Sequence, residues 1–189
     1  MTRRVVLLVP DAGPLISLAT IDRLELLLAV DLPIYLVDQV AHEVTVRDTL
    51  PDARRIRRFI HEHTDMVTIF STAVGQAAAR RRSEGETGRQ KGQGEAAIAE
   101  FLARMDEVLT SPDDPVLLLY EDSDIMKRRF VMPDNVHILS TRAFLLGLEQ
   151  RGRIPSANAL WQAINRQGRP SADTVTDRPG RTPTGRSAW

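Results

Sequence analysis

The sequence has no cysteine. That excludes a disulfide framework, a thiolate zinc site and a cysteine nucleophile, and it agrees with a reducing cytoplasm. Aromatic side chains are scarce, at 5%, so no base-stacking platform can be picked out. Neither charge is in excess: 25 Lys+Arg stand against 25 Asp+Glu, and any nucleic-acid affinity has to come from local patches. No apolar run reaches the ~18 residues of a membrane span. The opening Met1-Thr2-Arg3-Arg4 and Val5 to Val9 are too short in apolar residues for a signal peptide and lack a small-residue cleavage site. Gly85, Gly88, Gly92 and Gly94 do not form a phosphate loop, because no Gly-Lys-Ser/Thr follows and no strand directly precedes them. What is left, 189 residues with 42% hydrophobic and 26% charged content, suits one globular domain with a real core.

Val5 to Val9 is a short β-branched and Leu run ended by Pro10, the pattern of a buried parallel strand. Gly13-Pro14 makes a turn after it, with Pro14 suited to the first position of a helix. Asp11 therefore falls at the carboxyl end of a central strand, where open α/β sheets place their ligands. Ile21 to Val30 is helical in composition, with Asp22 as its cap and Glu25 completing a capping-box variant. Ile34 to Val37 reads as a strand, with Asp38 capping a helix over 39–46 that carries Glu43. A helix over 53–63 places Ile56, Phe59 and Ile60 inward and Arg54, Arg55, Arg57 and Arg58 on a solvated face. Val67 to Phe70 is a short strand and 72–82 a helix ending in Arg80, Arg81 and Arg82. Ser83 to Gln93 is a flexible loop carrying Arg89 and Lys91, with Glu86 solvated. Gly94-Glu95 opens a helix. Pro115 to Tyr120 is a buried strand that runs into Glu121-Asp122-Ser123-Asp124, followed by basic Lys127-Arg128-Arg129. Val136 to Leu139 is a last strand, Thr141 caps a helix to Gln150, and Ser156 caps another to about Arg166.

Strands alternating with helices predict an α/β fold with a mainly parallel central sheet flanked by helices. Parallel strands share a carboxyl edge, so Asp11, Asp122 and Asp124 should meet there, joined by Glu43 and Glu95. Carboxylates gathered without a basic partner raise each other's pKa, an arrangement that makes sense around divalent cations. His61 and His63, two residues apart on a helix, do not share a face and read as surface residues. His42 reads as structural and Trp161 as packing.

Asp11-Ala12-Gly13-Pro14-Leu15-Ile16-Ser17-Leu18-Ala19, Glu43 in Val40-Ala41-His42-Glu43-Val44, Gly94-Glu95-Ala96-Ala97-Ile98 and Leu119-Tyr120-Glu121-Asp122-Ser123-Asp124 resemble the ordered acidic motifs of PIN domains. The set is similar to toxin nucleases of the VapC type and their stand-alone bacterial relatives. The resemblance spans roughly residues 5 to 150. It implies a single PIN-like domain over 1–166, with 71–94 as an inserted helix and basic Gly-rich loop and 167–189 as a flexible tail. It implies Asp11, Glu43, Glu95 and Asp122 as catalytic metal-binding acids, Asp124 as an auxiliary metal-binding acid, and Mg²⁺ or Mn²⁺ as cofactor. The implied activity is RNA hydrolysis, with an antitoxin protein and a second copy of the chain as partners, in the cytoplasm and away from membranes. Arg80, Arg81, Arg82, Arg89, Lys91, Lys127, Arg128 and Arg129, which flank two of the acidic motifs, are the candidates for gripping RNA backbone. Tyr120-Glu121 departs from the Thr or Ser followed by Asp or Asn usual in the family, and Glu121 competes with Asp122 for the third acid.

Two other classes fit parts of this pattern. A degenerate, non-catalytic PIN-like interaction module would share the fold but bind no metal. A haloacid-dehalogenase-type phosphatase also has Asp after its first strand, but it needs a second acid two residues on, where this chain has Gly13.

Overall fold

The computed structural model describes residues 5–86, 92–121 and 132–168. Among them, five strands form one all-parallel sheet: β1 (Leu7–Pro10), β2 (Ile34–Val37), β3 (Val67–Phe70), β4 (Val116–Leu119) and β5 (Val136–Leu139), in the order β3-β2-β1-β4-β5. Every residue of β1 and β4 is buried, which is why both read as unbroken apolar runs rather than alternating ones. β1 pairs with β4 from Leu7 opposite Val116 to Pro10 opposite Leu119. The chain runs outward from β1 through β2 to β3, then returns to the other side of β1 for β4 and β5. The crevice between the carboxyl ends of β1 and β4 is therefore the switch point of the sheet, where ligands of open α/β folds bind.

Among the described residues, seven α-helices pack around the sheet: α1 (Ala12–Thr20), α2 (Asp38–Thr45), α3 (Pro51–Glu62), α4 (Ala73–Ser83), α5 (Gln93–Ala103), α6 (Thr141–Gln150) and α7 (Ala157–Arg166). Their apolar faces close one core, which includes Leu15, Leu18, Ile56, Phe101, Phe144, Trp161 and Ile164. Phe101 packs edge-on against Phe70 at 4.9 Å, and the Arg104 guanidinium covers the Phe70 ring.

Several local expectations are corrected. α1 begins at Ala12, so Pro14 is its third residue rather than its first. The segment expected to be a helix capped by Asp22 is a 3₁₀ helix, Leu24–Val30, preceded by Arg23; Asp22 lies in the left-handed region at φ 55° and ion-pairs with Arg55. Asp38 is inside α2 rather than its cap. Its carboxylate accepts from the Gln39 N–H, the Thr72 N–H and the Thr72 hydroxyl, and so locks the start of α2 to the β3–α4 turn. A Cβ on Gly75 would run into that carboxylate, so glycine is required there by close approach. Ser140, not Thr141, caps α6 through the Ala143 N–H.

The arginines of α3 are not simply a solvated face. Arg55 donates to the Ala19 and Thr20 carbonyls (2.8 and 3.3 Å), Arg57 to Thr45 O (2.6 Å) and Arg54 to Asp48 O (2.6 Å). Ala19, Thr20 and Thr45 are the last carbonyls of α1 and α2, which have no partner within their own helices and carry the negative end of the helix dipole. α3 thus satisfies the ends of the two helices that follow β1 and β2. Glu100 does the converse, accepting from the Ala73 and Val74 N–H groups at the start of α4 (2.7 and 3.0 Å). Burial works against its charge, but these two N–H groups and Arg104 hold its carboxyl below the usual range.

Candidate metal centre

Each acid at the switch point is brought there by a different element. Asp11 follows β1, and its backbone N–H donates to Leu119 O at 3.0 Å, which ties it to the end of β4. Although it stands at the N-cap position of α1, its side chain makes no capping hydrogen bond to the helix. Glu121 follows β4 and Tyr120 and lies over Gly13, where an added Cβ would come within 2.9 Å of Glu121 Cβ. The Ser17 hydroxyl donates to Glu121 Oε2 at 2.8 Å and the Thr141 hydroxyl to Oε1 at 2.5 Å, so α1 and α6 both hold this carboxylate. Glu43 lies on α2 and meets the first turn of α5. A Cβ on Gly94 would be 3.1 Å from Glu43 Oε2, so the small residue before Glu95 lets the two elements close up. Glu95 is in the first turn of α5, where the helix dipole favours a carboxylate.

Burial pushes the Asp11 carboxyl up to about 7; the Ala12 N–H pulls it down, and the charges of Glu95, Glu43 and Glu121 add to the rise. Among the described residues, neither Asp11 nor Glu43 is ion-paired to a lysine or arginine. Glu43 instead accepts from the side-chain amide of buried Gln39 at 3.1 Å, and Arg82 donates to the other end of that amide at 3.3 Å. Burial, followed by the Arg82 charge, holds the neighbouring His42 imidazole below its ordinary pKa, with Glu43 opposing both. At neutral pH it is therefore an uncharged neighbour of Glu43.

Whether these residues fit a divalent ion can be judged from their chemistry. All four donors are carboxylates, hard oxygen ligands of the kind Mg²⁺ and Mn²⁺ prefer over Zn²⁺. Asp11, with three like charges around it, is a group whose ionised form a cation would stabilise. Among the described residues, no three acids or histidines close up into a ready-made metal cage.

The other expected site residues are placed as follows. Asp122, Asp124, Arg89, Lys91, Lys127, Arg128 and Arg129 lie outside the described residues, as does the chain beyond Gly168. Arg80 and Arg82 are exposed at the end of α4, and Arg81 is half-buried beside them. Arg47, Arg81, Arg82, Gln39 and Glu43 line a cleft of about 480 Å³ between α2, α3 and α4. Glu121, weighed in sequence behind Asp122, is the acid of its motif that the described structure brings to Asp11. The parallel register was the signal: Pro10 opposite Leu119 brings the residues just after the two strands together. Gln39 was missed as a partner of Glu43, although its i,i+4 spacing on a helix was legible.

An all-parallel five-stranded sheet flanked by helices, with acids at the carboxyl edge, is a PIN-like architecture. Residues 7–88 match a family model described as a PIN domain, and the match and the fold together support a PIN-domain relationship. No curated protein and no solved structure matches the chain. PIN domains are in general nucleases and typically use divalent metal ions. The matched stretch contains Asp11 and Glu43 and ends before Glu95 and Glu121. Among the described residues, no helix is long and apolar enough to cross a membrane.

Proposed function

We propose that this chain is a Mg²⁺- or Mn²⁺-dependent endoribonuclease, the toxin of a toxin–antitoxin pair acting on cytoplasmic RNA. The observation that carries the metal-dependent nuclease reading is Asp11 at the sheet switch point, facing Glu43, Glu95 and Glu121 and ion-paired to none of the described basic residues. Asp11, Glu43 and Glu95 would hold the ion, with Glu121 as the fourth acid in reach and Asp122 and Asp124 following it in the chain. A bound divalent ion supplies an activated water and neutralises charge developing on the scissile phosphate. The protein's own part is to orient the ligands. Ser17 and Thr141 fix Glu121, and the tie between Asp11 N–H and Leu119 O sets the distance across the switch point. Arg80, Arg81 and Arg82 stand at the end of α4, where they would take RNA phosphates, giving affinity without sequence preference.

The test is cleavage of structured RNA by purified protein with chelator, Mg²⁺ or Mn²⁺. Cleavage is expected only with metal, and Asp11→Asn should lower it by at least about 100-fold, since outer-shell partners alone cost 10–100-fold. An equally active Asp11→Asn would refute the assignment. No Mn²⁺ binding at millimolar concentration would favour the non-catalytic interaction module. The toxin assignment predicts that a small protein from an adjacent gene, co-expressed with this chain, silences the cleavage.

A further inference from the structure

Gln39 is buried, at 4% exposure, and polar, one turn before Glu43 on α2. Its amide nitrogen donates to Glu43 Oε1, and its amide oxygen accepts from Arg82 Nη1 (3.1 and 3.3 Å). A guanidinium has donors only, so Arg82 requires the oxygen of Gln39 to face it. The NH₂ is then turned toward Glu43. We infer that Gln39 and Arg82 are positioning residues for Glu43, a neutral amide relaying the orientation that a cation sets.

The interposed amide has a chemical consequence. An arginine bonded directly to Glu43 would neutralise the carboxylate and compete with a metal ion for the same oxygens. Here the arginine stands one residue back, so Glu43 is aimed but keeps its charge for a divalent ligand. The gap behind Glu43 is closed from the other side by Gly94, whose missing Cβ leaves room for Oε2. One oxygen is held by Gln39 while the other packs over α5. The arrangement resembles the outer-shell hydrogen bonds that orient metal-ligating carboxylates and histidines generally. It also gives the end of α4 a role in the centre that does not depend on RNA.

This inference rests on the metal-dependent reading of the site, and calorimetric Mn²⁺ titration of the full chain without RNA separates the two. Gln39→Met keeps the length of the side chain and removes both hydrogen bonds. It should weaken Mn²⁺ binding by about 10–100-fold. Arg82→Met, on an exposed side chain whose loss leaves folding intact, should weaken it in the same direction but less, and Arg82→Lys should restore it. Because Arg82 acts through Gln39, the double variant should bind no more weakly than Gln39→Met alone. A residue that only grips RNA, or only fills space, would not move this affinity. If Gln39→Met lowers the melting temperature and leaves Mn²⁺ affinity unchanged, Gln39 is packing and the inference fails. Unchanged affinity in Arg82→Met overturns the role given to Arg82. A parent protein that binds no Mn²⁺ removes the metal reading, and this inference with it.

Discussion

Replacing Asp11 with Asn tests the electrostatics of the site separately from its chemistry. The carboxyl is raised from 3.8 to about 7 in the folded protein. Between those two values the folded state keeps a proton that the unfolded chain has already lost. Stability therefore falls as pH rises through that window, and it is level below about 4 and above about 7. At 1.36 kcal/mol per pKa unit, the full difference is on the order of 4 kcal/mol. That is a ceiling, because Asp11 retains some exposure and solvent screens part of the effect. Asn has the same shape without the charge. In chelator, urea melts should show Asp11→Asn matching the parent near pH 4 and exceeding it by at least about 1 kcal/mol at pH 8. Millimolar MnCl₂ should reverse the order, since a ligand at 100 times its Kd adds about 2.7 kcal/mol to the form that binds it. A variant less stable than the parent by the same amount at both pH values would refute the reasoning. It would make Asp11 a structural turn residue.

Three further outcomes follow from contacts that hold the helices and Glu121 in place. Gly75→Ala, by driving a methyl group into the Asp38 carboxylate, should cost about 1–3 kcal/mol in denaturant melts. An unchanged melt would mean that the Asp38 lock between α2 and α4 is loose. Arg55→Met removes the donor to Ala19 O and Thr20 O and the ion pair with Asp22. The loss of stability should be about 1–2 kcal/mol and should persist in 1 M salt, because the carbonyl bonds are not screened as a surface ion pair is; disappearance of the effect in salt would assign it to Asp22 alone. Thr141→Val deletes one of the two hydroxyls on Glu121 while Ser140 still caps α6. It should lower stability by about 1–2 kcal/mol and weaken Mn²⁺ binding, whereas an intact affinity would place Glu121 outside the metal centre.

What could be read from the chain and what could not divide along physical lines. β3 and β5 were placed with their observed bounds, because a short apolar run between turn residues has few alternatives. The position of Asp11 at the carboxyl end of a central strand was legible, because the apolar run before it and the turn after it are both local signals. The assignment of Thr141 as a cap failed because two candidate residues are adjacent. Ser140 and Thr141 offer the same hydroxyl, and only the approach of Glu121 decides which of them turns to the helix. The α3 arginines failed for a related reason. A run of Arg on the polar side of a helix looks solvated until the ends of α1 and α2 are brought against it.

By itself, the sequence determined the strands, most of the helices, a mainly parallel sheet and the set of acids available, because periodicity and turn chemistry are local properties of the backbone. The tertiary structure decided which of those acids meet. It brought Glu121 over Gly13 to Asp11, set Glu43 against Gly94, and placed Gln39 between Glu43 and Arg82. Those choices depend on strand register and helix docking, where a shift of one residue would point a different side chain into the crevice.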